Sequence, residues 1–218
     1  MDNSIDLTLK GIEDGHFKTF YRGLKTIKCP FDYVLYQMLI NEVKPDLIIE
    51  IGTAHGGSAL YLADLMQNIG HGQIHTIDIN EEHFLINSEE LKELIDQNPR
   101  ITRFLGGYEN YNLDLTNSFD KIMLIDDGSH HYSDVLSVMH KFEKIISEDS
   151  YMIIEDGTVN WWGVEGLFDG GPLRAIQEFL EQNTEFEIDR KWCDFFGKNV
   201  TFNPNGYLKK RKIFEIIN

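Results

Sequence analysis

The sequence predicts an α/β protein built on an open, mostly parallel, seven-stranded sheet with helices on both faces. Short apolar runs alternate with longer segments of helical periodicity five times along the chain, the pattern of repeated strand-helix crossovers. The runs are apolar throughout instead of alternating, as expected of strands covered on both sides. Two more short runs near the end read as a closing strand pair.

Residues 1–30 are mixed and polar, with Gly11, Gly15 and Gly23 interrupting any long helix, and are expected to form a variable N-terminal extension. One domain then spans 31–218, since no repeat, linker or low-complexity tract divides it. Residues 31–43 carry apolar side chains at helical spacing and stop before Lys44-Pro45. Residues 46–51 make the first strand, and Gly52, Gly56 and Gly57 turn the chain into a helix over 59–69 that Gly70 and Gly72 close. The second strand is 73–78, a helix follows over 81–97, and Asn98-Pro99 ends it. The third strand, 101–105, leads to Gly106-Gly107. The fourth, 121–125, precedes a helix from 133 to 146, and the fifth is 151–154. Pro172 suits the first turn of a helix running to 182, and the closing strands are placed at 186–192 and 198–202.

A chain of 218 residues, 42% hydrophobic and 12% aromatic, can bury one sizeable core. Its net charge of -16 opposes a nucleic-acid partner, because neutralising phosphates requires a basic face. Cys29 and Cys193 are the only cysteines, which suits a reduced, cytoplasmic setting and leaves a single disulfide open. Asp2 and Asp6 stand where a signal peptide would be basic and then apolar, and no apolar run approaches membrane-spanning length.

In open α/β sheets ligands bind beyond the carboxyl ends of the strands. There the sequence places Glu50, Asp78, Asp127, Glu155 and Asp156. The turn G-x-x-x-G-G is neither the dinucleotide fingerprint nor a phosphate-binding loop. Asp78, 26 positions after Gly52, adds what the glycines lack, a carboxylate able to accept both hydroxyls of a ribose. Together they point to a cofactor bearing a nucleoside. Five carboxylates along one crevice repel one another unless a cation compensates them. Asp127, Glu155 and Asp156 are hard oxygen donors suited to Mg²⁺, with Mn²⁺ or Ca²⁺ also matching the ligand type. Helix capping is the other use for such acidic pairs.

The segments IEIGTAHGGSAL, IDDGSHHYSDV, MIIEDG and FEIDRKWCDFF…FNPNGYLKK resemble the family of rhamnosyl O-methyltransferases and cephalosporin hydroxylase proteins, from Lys28-Cys29-Pro30 to Lys210. The resemblance implies a Rossmann-like class I methyltransferase fold with an antiparallel last strand, and S-adenosylmethionine (SAM) with Mg²⁺ as cofactors. It places the cofactor on Gly52, Thr53, Ser58 and Asp78, with Gly107 in the loop bordering the adenine, and the metal on Asp127, Glu155 and Asp156; Glu50, at the carboxyl end of the first strand, is counted with the cofactor residues by its position. Asp127 also becomes a catalytic residue. Catechol-type relatives carry a catalytic lysine three places after the first metal aspartate, where this chain has His130. A histidine can take a hydroxyl proton at neutral pH, so His130 is open to two roles, base or helix-capping residue.

The implied reaction is O-methylation of a sugar or another vicinal diol in a bacterial glycan, glycolipid or natural product, by a homo-oligomer. Trp161-Trp162 could pack on the acceptor ring or fill an interface, and the basic run 209–212 could meet an anionic acceptor or solvent. Two rival readings stay open: a non-haem iron hydroxylase using His130, His131 and Asp127, and a SAM-binding subunit without catalysis.

Overall fold

The structure is a computed structural model describing residues 4–5 and 7–212. Residues 1–3 and 6 of the expected extension, with Asp2 and Asp6, and 213–218 at the end of the expected domain lie outside the described residues. Helix α1 (Leu9–His16) leads into a hairpin of β1 (Phe20–Tyr21) and β2 (Leu24–Lys25), then α2 (Pro30–Val43), β3 (Leu47–Ile51), α3 (Gly57–Ile69) and β4 (Gln73–Asp78). Two short helices, α4 (Glu82–Leu85) and α5 (Glu89–Asp96), precede β5 (Ile101–Leu105), β6 (Ile122–Asp126), α6 (Tyr132–Phe142) and β7 (Tyr151–Ile154). The chain ends with α7 (Gly171–Gln182), β8 (Phe186–Ile188), α8 (Arg190–Cys193) and β9 (Tyr207–Lys210).

Seven strands form one sheet in the order β5-β4-β3-β6-β7-β9-β8. All neighbouring pairs run parallel except those of β9, which lies antiparallel between β7 and β8. The expected mostly parallel α/β sheet with its reversed last strand is therefore present. Alternation along β3 explains the apolar strands: Leu47, Ile49 and Ile51 enter the core under α6 and α7, while Ile48 enters the core under α2 and α3. Because β3 pairs with β4 on one side and β6 on the other, the sheet reverses its winding there and opens a crevice above those strand ends.

Three local expectations are corrected. The helix expected over 81–97 is two helices, broken where the Asn87 side chain donates to the carbonyl of His55 and Ser88 starts the second. The strand expected over 186–192 stops at Ile188, because the Asp189 carboxylate caps the Lys191 amide and starts α8. Residues 198–202 form a loop, with the strand displaced to Tyr207–Lys210. Buried Asp32 of α2 holds that loop, accepting from the Thr201 hydroxyl, the Phe202 amide (3.0 Å) and the Tyr207 hydroxyl (3.0 Å).

The basic run 209–212 is committed elsewhere. Lys209 and Lys212 pair with Asp149, Lys210 with Glu185 and Arg211 with Glu187. Register puts Lys209 beside Tyr151, the first residue of β7, at the end of the sheet away from the crevice.

Candidate functional site

Gly52 fixes the centre of the site. It follows β3 with φ of +98°, and a Cβ there would lie 2.1 Å from the carbonyl oxygen of Asp127. Only glycine lets the turn after β3 cross the turn after β6 at that separation. Ala54, His130 and Asp156 also hold left-handed backbone, with φ of 43°, 58° and 55°. Side chains bearing Cβ adopt this region at a cost of about 1–2 kcal/mol each, so the surrounding packing must impose it.

Two cavities meet at this crossing. One, of about 420 Å³, runs over the ends of β3 and β4 past Asp78, Gly107 and Glu109 to Asp126 and Ser129. The other, of about 400 Å³, lies toward α1 and contains Asp127, His130 and Asp156 beneath an apolar wall of Phe17, Trp162 and Phe168. Gly52, Ala54 and Asp127 line both. A hollow of about 540 Å³ by Asp46 and Asp120 sits at the amino ends of the strands and shares none of these groups.

On the first cavity, Asp78 accepts from the Ala54 amide at 2.9 Å and the Ile79 amide at 2.8 Å, which fixes its carboxylate at the rim. Gly107 adopts φ of +81° and brings its backbone to the cavity wall. Thr53 and Ser58 face the second cavity. Glu50, expected to touch the cofactor, instead stands fully buried behind the turn. Thr76 donates to it at 2.7 Å, and Thr53 in turn contacts the Thr76 hydroxyl at 2.7 Å. Burial raises the Glu50 pKa, while Lys28 and the hydroxyls of Ser58 and Thr76 oppose the rise.

In the second cavity, His130 Nε2 lies 3.3 Å from Asp156 and 4.0 Å from Asp127. One ligand atom from each of these three residues falls within 4.8 Å of the others. Glu155, expected as the third oxygen ligand, stands outside that group. It is 4% exposed, and its Oε1 accepts from Lys28 Nζ at 2.5 Å and the Tyr36 hydroxyl at 2.7 Å. Lys28 also donates to Asp127 Oδ2 at 2.6 Å. The Asp127 and Glu155 carboxylates raise the Lys28 pKa well above the usual lysine range, outweighing desolvation by burial, so the ammonium stays charged. Burial, reinforced by neighbouring Asp127, raises the pKa of Glu155 and of Asp156; Lys28 moderates the first and His130 the second.

Mg²⁺ takes one or two carboxylates and keeps several waters. Asp127 and Asp156, partly exposed at the same cavity wall, fit that requirement. His131 occupies the N-cap position of α6 without a side-chain cap, and it belongs neither to the Asp127, His130 and Asp156 group nor to the lining of the second cavity. Trp162 lines the cavity, while Trp161 is 41% exposed outside it.

Lys28, Tyr36, His16 and Phe168 were not singled out by sequence reasoning. His16, 5% exposed, lines the second cavity and packs edge-on against Phe202. A lone lysine directly before Cys29-Pro30 and a helix was the one available signal for Lys28.

Residues 15–211 match the family rhamnosyl O-methyltransferase/CmcI. Among individual relatives, the rhamnosyl O-methyltransferase of Mycobacterium leprae (strain TN) is 29% identical over 196 residues, covering 88% of this chain and 83% of the relative. That of Mycobacterium bovis (strain BCG / Pasteur 1173P2) is 28% identical over 199 residues, covering 88% and 78%. A solved structure of CmcI with S-adenosylhomocysteine (SAH) superposes with a TM-score of 0.65 at 19% identity over 97% of this chain and 96% of that one. One of CmcI with Mg and SAM gives 0.61 at 19% identity over 97% and 88%, and both likenesses bear on the fold. On the match across nearly its whole length, the chain belongs to the rhamnosyl O-methyltransferase/CmcI family.

Proposed function

We propose that the protein is a SAM-dependent, Mg²⁺-dependent O-methyltransferase acting on a hydroxyl of a sugar or another vicinal diol. The observation that carries this reading is the pair of cavities sharing a wall at Gly52, Ala54 and Asp127. One has a ribose-accepting carboxylate at its rim, and the other has two carboxylates and an imidazole under an aromatic wall. Family membership supports the reaction, and the CmcI structure holding Mg and SAM supports the cofactor pair.

When bound, SAM supplies an electrophilic methyl group, and Mg²⁺ supplies a Lewis acid that lowers the acceptor hydroxyl's pKa. The chain's own residues do the rest. Asp78 would accept the ribose hydroxyls, and the bare backbone of Gly52 leaves room for the two reactants to approach across the crossing. Asp127 and Asp156 would hold the cation on the acceptor side. His130 takes the acceptor's proton at Nε2, and Asp156 at 3.3 Å stabilises the imidazolium that results. Trp162 and Phe168 pack on the ring and keep water from the reacting oxygen.

No helix among the described residues is long and apolar enough to cross a membrane. A cytoplasmic setting belongs to the proposal and is supported by two buried free thiols, Cys29 and Cys193. Homo-oligomeric assembly belongs to it as well.

Calorimetric titration of SAM and SAH, with and without Mg²⁺, tests the reading on the wild type and on Asp78→Ala. Binding that the variant loses leads to an acceptor screen of glycans and diols. A folded wild type that binds neither ligand ends the proposal and redirects attention to iron content and oxygen uptake.

A further inference from the structure

We propose that His16, supplied by the N-terminal helix α1, reads the methyl acceptor: its Nε2 accepts a hydroxyl of the acceptor other than the one that is methylated. The inference rests on the proposed function in taking the second cavity as the acceptor's, and it deepens that function by requiring an acceptor with a second hydrogen-bond donor.

Geometry at the end of α1 carries it. His16 is the last residue of that helix, is buried, and lines the second cavity together with Asp127, His130 and Asp156. Its Nδ1 lies 2.5 Å from the Glu13 carbonyl oxygen. A carbonyl oxygen can only accept, so Nδ1 carries a proton, and in the neutral ring Nε2 is left as an acceptor. Among the described residues Nε2 has no hydrogen-bond partner. The rings of Phe17 and Phe202, with centroids 4.0 and 5.0 Å away, hold the imidazole in place, and the Thr19 hydroxyl donates to the His16 carbonyl at 2.7 Å and fixes the helix end.

Neighbouring polar groups on that wall are already committed. Glu13 pairs with Lys10 at 3.1 Å, Thr53 contacts the Thr76 hydroxyl at 2.7 Å, and the Ser58 hydroxyl serves buried Glu50. Asp127 and Asp156 face His130, at 4.0 and 3.3 Å, on the side assigned to the cation and the base. An acceptor that fills the cavity toward α1 therefore meets a lone nitrogen acceptor set between aromatic rings. If the acceptor carries a hydroxyl there, the pair is satisfied; if it carries none, Nε2 loses its water and gains nothing, and sites of this kind reject the analogue that lacks the group. Helix α1, expected from the sequence as part of a variable extension, thereby belongs to the acceptor site.

The first measurement needs no acceptor. A long-range proton–nitrogen correlation spectrum of the full-length protein, ¹⁵N-labelled at histidine and held at alkaline pH, should show His16 as the Nδ1–H tautomer, with His16→Gln identifying its signals. The second uses methyl α-mannopyranoside, a vicinal diol, and its monodeoxy analogues, titrated into protein loaded with SAH and Mg²⁺. The mannoside should shift the His16 Nε2 resonance, and one monodeoxy analogue should leave it unmoved and bind about tenfold more weakly. His16→Phe, which keeps an aromatic ring and removes the acceptor nitrogen, should abolish that preference while SAH affinity stays within about threefold of wild type. His16→Gln, which retains an acceptor oxygen, should keep part of it. Should His16→Phe fail to fold, the tautomer and the Nε2 shift in the wild type decide. The proposal is overturned if His16 holds its proton on Nε2, if folded His16→Phe keeps the preference, or if the SAH-loaded wild type binds neither the mannoside nor any analogue. A wild type that binds the mannoside with Mg²⁺ but does not bind SAH would count against the methyltransferase reading alone.

Discussion

At the scale of single residues, the site depends on positions where chemistry and backbone geometry coincide. Gly52 is the clearest, since any side chain would strike the Asp127 carbonyl. Gly52→Ala is expected to cost about 3 kcal/mol of stability and to weaken SAH binding, as urea unfolding and calorimetry would record. Those residues were legible in sequence because each lies within a few positions of a strand end: Gly52 after β3, Asp78 closing β4, Asp127 after β6 and Asp156 after β7. Lys28 was not legible, because its partners lie 99 and 127 positions away and no local pattern announces them. The contacts of Glu155, expected as a metal ligand, were hidden for the same reason, since Lys28 and Tyr36 reach its Oε1 from distant positions.

At the scale of elements, buried Asp32 ties α2 to the loop before β9 through three donors. Asp32→Ala would leave the Phe202 amide and the Tyr207 hydroxyl proton without their acceptor and is expected to destabilise by about 3 kcal/mol, measured by chemical unfolding. Since Phe202 packs against both His16 and Trp162, the same variant should loosen the second cavity more than the first. Hydrogen exchange around 157–168 compared with 101–110 would register that difference. The parallel strands were readable because burial on both faces demands continuous apolar runs. The closing pair was not. Residues 198–202 have strand-like composition, but Asp32 recruits their polar groups, and the pairing edge falls to Tyr207–Lys210 only after Gly206 has passed close to the carbonyl of Ile154.

At the scale of the whole molecule, pH and cations govern stability together. His75 of β4 is 6% exposed, and its Nδ1 contacts the Tyr111 hydroxyl at 2.5 Å. Burial pushes its pKa down to about 4. An unfolded histidine protonates near 6.5, so the unfolded state binds the proton first as pH falls. The contribution of neutral His75 is full above about pH 6.5 and is lost progressively toward pH 4, amounting to at most about 3 kcal/mol. His75→Gln should flatten the dependence of unfolding free energy on pH across that window. A net charge of -16 also makes added cations stabilising in general. Mg²⁺ should raise the unfolding free energy beyond NaCl of equal ionic strength, by about 3 kcal/mol at a hundredfold excess over its Kd, read as a higher melting temperature. Chelation should reverse that excess, and Asp156→Asn should remove it.

The span of the Lys28 contacts has a bearing on how the molecule is made. The first cavity closes among residues 51–138, whereas Lys28 and Tyr36 must wait for Glu155, and Asp32 must wait for Thr201 at a separation of 169 positions. During synthesis the first cavity can therefore take shape while the second still lacks its partners. A chain stalled before Tyr207 is expected to protect the amides of β3 and β4 against exchange well before those of α2, leaving the Lys28–Glu155 pair to close in the last stage of folding.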